Sequence, residues 1–210
     1  MGRDLGGACI SPCGNSWTRP GLSTTIRAVT DKVERRTPAP TSPKSVRFVE
    51  LSSTTMRALL KDDLARASAE AGVALTEYFV TDTAKWVWQY RVNQLTSDPG
   101  YTGWLTEIVV AEPEGAVVGY AGFHGPPDEA GMVELGYSVV PVYRRQGYAR
   151  AMLTALVHRA VAEARVGTVR VTISPDNAAS LATISGFGFV EVGEQWDEED
   201  GLEVIFEVPV

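Results

Sequence analysis

Apolar residues recur along the chain with two periods, and each change of period marks an element. Val46 to Leu51 is short and β-rich, which predicts a strand. Ser53, with Thr54 and Thr55, is placed to cap a helix whose Met56, Leu59, Leu60, Leu64 and Ala67 form one apolar face before Gly72 ends it. A second helix starts near Asp82 and carries Trp86, Val87, Tyr90 and Val92 toward Leu95, where Asp98-Pro99-Gly100 breaks the chain. Core packing is expected for these aromatic rings, because large rings dominate core energetics.

Trp104 to Val110 and Ala116 to Phe123 read as strands joined by the turn Glu112-Pro113-Glu114-Gly115. The pattern continues into Val133 to Val140, so these consecutive strands make an antiparallel meander, stopped by Pro141. From Gly147 the residues Ala149, Met152, Leu153, Leu156, Val157, Ala160, Val161 and Ala164 follow helical spacing. Thr168 to Ile173 is again β-rich, and a helix between two strands returns the chain by a right-handed crossover, so this strand lies parallel to the one before Pro141. Pairing is expected to fail just past Val140, leaving the two parallel strands splayed with free backbone groups between them. Asn177 to Ser185 reads as a short helix, and Phe189 to Trp196 with Leu202 to Val208 as a closing hairpin.

Composition divides the chain. At 44% hydrophobic content, 210 residues suffice for one domain with a sizeable core plus a tail. The tail is residues 1–45, rich in Gly, Pro, Ser, Thr and Arg, with too little apolar surface to offset the entropy of ordering it, and the domain is 46–210. Leu5 to Pro12 offers no continuous apolar core for a secretory signal. The arginine-rich leader resembles an organellar transit peptide, weakened by Asp4, Asp31 and Glu34, and a misassigned start codon accounts for it as well. A net charge of −7 without a basic run in the domain argues against nucleic acid, and no apolar run approaches the ~20 residues of a membrane span. Cys9 and Cys13 lack a second pair, so no metal site is expected.

The chemistry concentrates at Arg144-Arg145-Gln146-Gly147-Tyr148-Ala149, between strand and helix. Free N–H groups and a positive dipole end mark the first turn of a helix, and a glycine there lets phosphate oxygens reach the backbone. The plainer alternative is a strand-to-helix turn with solvated arginines. No Gly-Lys-Ser/Thr follows, which excludes a nucleotide-triphosphate loop, and the glycine triplet of a dinucleotide fold is absent.

Arg144, Gly147 and Ala149 fill the pattern Arg/Gln-x-x-Gly-x-Gly/Ala, and Asn177, Ser180 and Gly188-Phe189 follow at matching spacing. In this the chain resembles the GNAT N-acetyltransferases, and its Glu134, Gly136 and Tyr137 resemble the branch with the ribosomal-protein N-terminal acetyltransferases. The resemblance implies an α/β GNAT fold: a mixed, mostly antiparallel sheet splayed between the fourth and fifth strands, with helices on both faces. It implies a cytoplasmic enzyme that moves an acetyl group from acetyl-CoA to a primary amine, of a small molecule or a protein, directly through a tetrahedral intermediate. A homodimer is compatible with it, and the alternative is a regulatory module that binds acyl-CoA without turnover. Cofactor contacts are expected from Val139, Val140, Arg144, Arg145, Gln146, Gly147, Tyr148, Ala149 and Asn177, with the N–H of Val139 or Val140 meeting the oxyanion. Glu134 is the candidate base. Where many relatives carry a tyrosine acid this chain has Ile184, so Ser180 becomes the candidate proton donor. His124 reads as a solvated loop residue, with a role near the acceptor as the alternative, and Trp86, Trp88 or Tyr90 could line the acceptor pocket.

Overall fold

The computed structural model describes residues 44–198 and 201–210. The expected tail thus lies almost wholly outside the described residues, except that Ser45 already opens a strand. Among the described residues, β1 (Ser45–Val49), β2 (Glu107–Glu112), β3 (Val117–Phe123), β4 (Met132–Val139), β5 (Thr168–Ile173), β6 (Val190–Asp197) and β7 (Gly201–Pro209) form one sheet in the order β1-β2-β3-β4-β5-β7-β6. Only β4 and β5 are parallel neighbours; every other pairing is antiparallel. This is the expected mixed sheet, with the meander and the closing hairpin in place.

The helices are α1 (Ser53–Leu60), α2 (Leu64–Ala71), α3 (Asp82–Ser97), α4 (Tyr148–Val161) and α5 (Ala178–Ile184). The first expected helix is therefore two. Asp62 takes a left-handed φ of 60°, and Asp63 then caps α2 by accepting from the Arg66 N–H. Ser52, not Ser53, caps α1, its hydroxyl accepting from Thr55 N–H at 3.0 Å.

Alternation along the strands gives the sheet two apolar faces. Val133, Leu135, Tyr137 and Val139 of β4 pack with Val169, Val171 and Ile173 of β5 against Met152, Leu153 and Leu156 of α4 and Ile184 of α5. Ile108, Val110, Tyr120 and Val140 meet Met56, Leu59, Phe79, Trp88 and Val92 on the other side. Trp88 is core, as expected, its Nε1–H donating to Phe79 O at 2.8 Å. Trp86 and Tyr90 are not: one helical turn apart on the outer face of α3, they stack on each other with centroids 5.5 Å apart. No described helix is long and apolar enough to cross a membrane.

Candidate active site

The splay opens earlier than the sequence suggests. The β4–β5 ladder pairs Met132 with Thr168, Val133 with Val169 and Glu134 with Arg170, and ends there. Beyond it β5 stays bonded to β7 on its other side through Ile173, and β4 stays bonded to β3. His124 N–H to Glu134 O (2.8 Å) and Val140 N–H to Val118 O (2.9 Å) fix the even-numbered β4 residues toward β3. By antiparallel alternation the N–H groups of Tyr137 and Val139 point into the gap. Val140 does not supply the oxyanion donor: its N–H goes to β3, and its carbonyl accepts from Tyr143 N–H at 2.8 Å. Val139 remains.

At the open end of β4 lies the glycine junction. Gly147 caps α4 with φ 91° and no side-chain hydrogen bond. A Cβ built there would meet only Lys44 Cγ, at 3.7 Å, so the glycine keeps open the space before the first-turn amides. Arg144 is anchored by Nε donating to Val139 O at 3.1 Å, and Arg145 sits at φ 60°. Gln146 folds back, its Nε2 donating to Val142 O at 2.8 Å. Tyr148 turns its ring into the core, against Tyr143, so it offers a backbone amide to the junction. Lys44 Nζ lies 4.9 Å from the centre of that ring. Arg144 and Lys44 thus lie at a helix N-terminus, with Arg145 next to Arg144 in the same junction, in an acidic chain.

On the α1–α3 face, Glu134 stands at the last rung of the ladder. Its Oε1 accepts from Thr172 Oγ1 at 2.9 Å and faces His124 Nδ1 at 3.6 Å. His124 is thus no solvated loop residue; its side chain is 15% exposed. Behind it the buried Arg91 donates through Nη1 to His124 O (3.1 Å) and Gln94 Oε1 (2.8 Å), and through Nε to Thr106 Oγ1 (3.1 Å). Gln94 Nε2 adds a bond to His124 O at 2.8 Å. Burial alone would raise the Glu134 carboxyl, but the facing His124, the Thr172 hydroxyl and nearby Arg170 outweigh it and hold it below its ordinary value. Burial pulls His124 down, opposed by Glu134 and aided by Arg91. Burial also lowers Arg91 to about 10, leaving it charged at neutral pH. A carboxylate beside a neutral imidazole is a proton-accepting pair.

That pair predicts a pH dependence of stability. Below about pH 6.5, the ordinary histidine value, the unfolded chain takes up a proton that folded His124 resists. The stability is complete above that pH and declines beneath it, whereas the depressed Glu134 contributes no loss until pH falls below its unfolded value of about 4.3. The melting temperature should therefore drop from pH 7.5 to pH 5.5, and by less in His124→Gln. Equal drops would contradict a buried neutral His124.

Across the sheet, α5 places the other candidates. Asn177 is its N-cap, Oδ1 accepting from Ser180 N–H at 3.0 Å. Ser180 is buried, and Ile184 sits in the same core as an apolar plug. Ser180 faces Tyr137 of β4. Glu134 and Ser180 thus flank the gap from opposite faces. Among the described residues no cluster of His, Cys, Asp or Glu could hold a metal ion.

Residues 54–190 match the family described as the acetyltransferase (GNAT) domain. Over 96 residues the chain is 31% identical to YjdG, an uncharacterized N-acetyltransferase of Bacillus subtilis (strain 168), a stretch covering 46% of this chain and 57% of that protein. The fold is similar to that of Mycobacterium smegmatis RimJ in complex with CoA-disulfide, at 15% identity over 80% of this chain and 86% of the other, with TM-score 0.56. It is similar also to the ribosomal-protein-S5-alanine acetyltransferase of Vibrio fischeri, at 15% identity over 81% and 95%, with TM-score 0.54. A spermidine N-acetyltransferase SpeG chimera from Vibrio cholerae and hSSAT shares the fold at 12% identity over 80% and 96%, with TM-score 0.55. The splayed parallel pair, the glycine-capped helix and the match over most of the described residues agree, and the chain belongs to the GNAT acetyltransferase family.

Proposed function

We propose that this chain transfers an acetyl group from acetyl-CoA to a primary amine. The observation that carries the reading is the end of the β4–β5 ladder at Glu134, which puts a carboxylate at one mouth of a gap whose other end is the Gly147 junction. The residues fit the donor. Gly147, Tyr148 and Ala149 offer first-turn amides, and Arg144, Arg145 and Lys44 offer charge, to the diphosphate; the Tyr137 and Val139 amides suit the pantetheine arm as an added strand would. Acetyl-CoA supplies an activated carbonyl on a good leaving group.

The chain's own residues supply the rest. Val139 N–H is placed to polarise the carbonyl oxygen. Glu134, with His124, receives the amine's proton, and Ser180 stands on the opposite face to meet the departing sulfur. Holding both reactants in one gap provides much of the acceleration. Two structural neighbours are named for spermidine and for the alanine of a ribosomal protein, and both acceptors are amines. The acidic chain suits a cationic acceptor, small or protein-borne.

Direct transfer has a kinetic signature. Initial rates with both substrates varied should give intersecting lines, and no label from acetyl-labelled donor should remain on the protein without amine; parallel lines with labelled protein would mean a covalent route instead. Lys44→Ala should weaken acetyl-CoA binding by about 2- to 5-fold, the effect of one exposed charge near a helix N-terminus. Titration at low and high salt checks it, since the difference should shrink with salt; equal affinities at low salt would remove Lys44 from the site.

A further inference from the structure

The Tyr137 hydroxyl is sealed from solvent and makes no hydrogen bond among the described residues. Leaving a buried donor unsatisfied is costly, so such a group needs a reason. Its polar neighbours are the hydroxyls of Ser180 and Thr183 on α5. Thr183 already donates its hydrogen to Ala179 O at 2.9 Å. Ser180, buried at 3% exposure beside the gap, has one hydrogen to donate and lone pairs to accept with, so accepting from a neighbour fixes its rotor and leaves its hydrogen free to point outward, and Tyr137 is the neighbouring hydroxyl whose hydrogen is uncommitted.

We infer that Tyr137 is a positioning residue for Ser180: its phenol donates to Ser180 Oγ during turnover and so aims the Ser180 hydrogen at the departing sulfur. This rests on the acetyl-transfer reading and assigns a role that reading leaves open. Burial pushes the Tyr137 phenol up, against the opposing pull of the two hydroxyls, so it stays a protonated donor across the neutral range. Neither hydroxyl has to give up its proton. As the carbon–sulfur bond breaks the electron pair stays on sulfur, the amine's proton passes to the Glu134 side, and the thiol, with a pKa of about 8.5, takes its own proton from water.

Tyr137→Phe keeps the ring and removes only the hydroxyl. It should lower kcat about 10-fold, the order of one neutral hydrogen bond, leave the acetyl-CoA dissociation constant unchanged, and melt at or above the wild-type temperature because an unsatisfied buried group is gone. In a Ser180→Ala background the same substitution should cause no further loss, since the residue it orients is absent. Turnover at the wild-type level in Tyr137→Phe, an equal loss in both backgrounds, or a melting temperature several degrees lower would each overturn the inference while acetyl transfer itself stood. Absence of wild-type turnover with every amine would instead overturn the underlying reading, and the inference with it.

Discussion

Glu134→Gln is expected to lower turnover by roughly 100- to 10,000-fold, the range for loss of a positioned general base, while acetyl-CoA affinity stays at the wild-type value. Glutamine keeps the carbonyl that accepts from Thr172 and fits the same volume, so the last rung of the β4–β5 ladder should survive. What disappears is the charge that His124 and Arg170 hold ionised. Because the carboxyl lies below its ordinary value, it is deprotonated throughout the working range, and a rise of rate toward alkaline pH reports the acceptor amine. The variant should therefore show the wild-type profile shape at much reduced height. Undiminished turnover at every pH would remove Glu134 from the chemistry and leave the reaction to positioning.

Gly147→Val is expected to abolish acetyl-CoA binding. A valine there adds branched bulk where only Lys44 Cγ lies within 4 Å, so it fills the space before the α4 amides. It also forces a β-branched residue to φ 91°, which costs on the order of 1–3 kcal/mol in strain. For a chain of this size about 1 kcal/mol corresponds to a fall of roughly 2–4 °C in melting temperature. Strain and obstruction can be separated at Gly72, which caps α2 at φ 68° with nothing within 4 Å of an added Cβ. Gly72→Val should melt lower by a similar amount and bind acetyl-CoA normally. Calorimetric titration of both variants decides: retained affinity in Gly147→Val, or equal loss in the two, would contradict the cradle.

Local signals made the core of the site legible. Pro141, Gly147 and the change from period two to helical spacing located β4, the junction and α4, and the crossover rule made β5 parallel. Features set by register or by distant packing were hidden. Leu60 and Leu64 keep helical spacing across the Asp62 break, so the two helices looked like one. The end of the ladder at Glu134 has no sequence mark of its own, because β5 is held beyond it by β7 and β4 by β3. His124 followed by Gly-Pro-Pro looked like loop; the β3–β4 register, which puts it across from Glu134, was the signal that could have recovered it. Arg91 was concealed among the aromatics of α3, and Lys44 ends a Pro-rich stretch that sequence alone assigns to the tail. Tyr137 was visible only as part of a resemblance, since its buried hydroxyl is a fact of packing against α5.

The central claim is that the gap between β4 and β5 is a place of reaction as well as of binding. Continuous detection of free thiol, with the chain at saturating acetyl-CoA and a panel of polyamines, amino acid amides and peptide N-termini, tests this most directly. At least one amine should accelerate thiol release far above the amine-free rate, with N-acetylated product formed one for one. Tight acetyl-CoA binding with no acceleration by any amine would contradict the claim and make the chain an acyl-CoA-binding module.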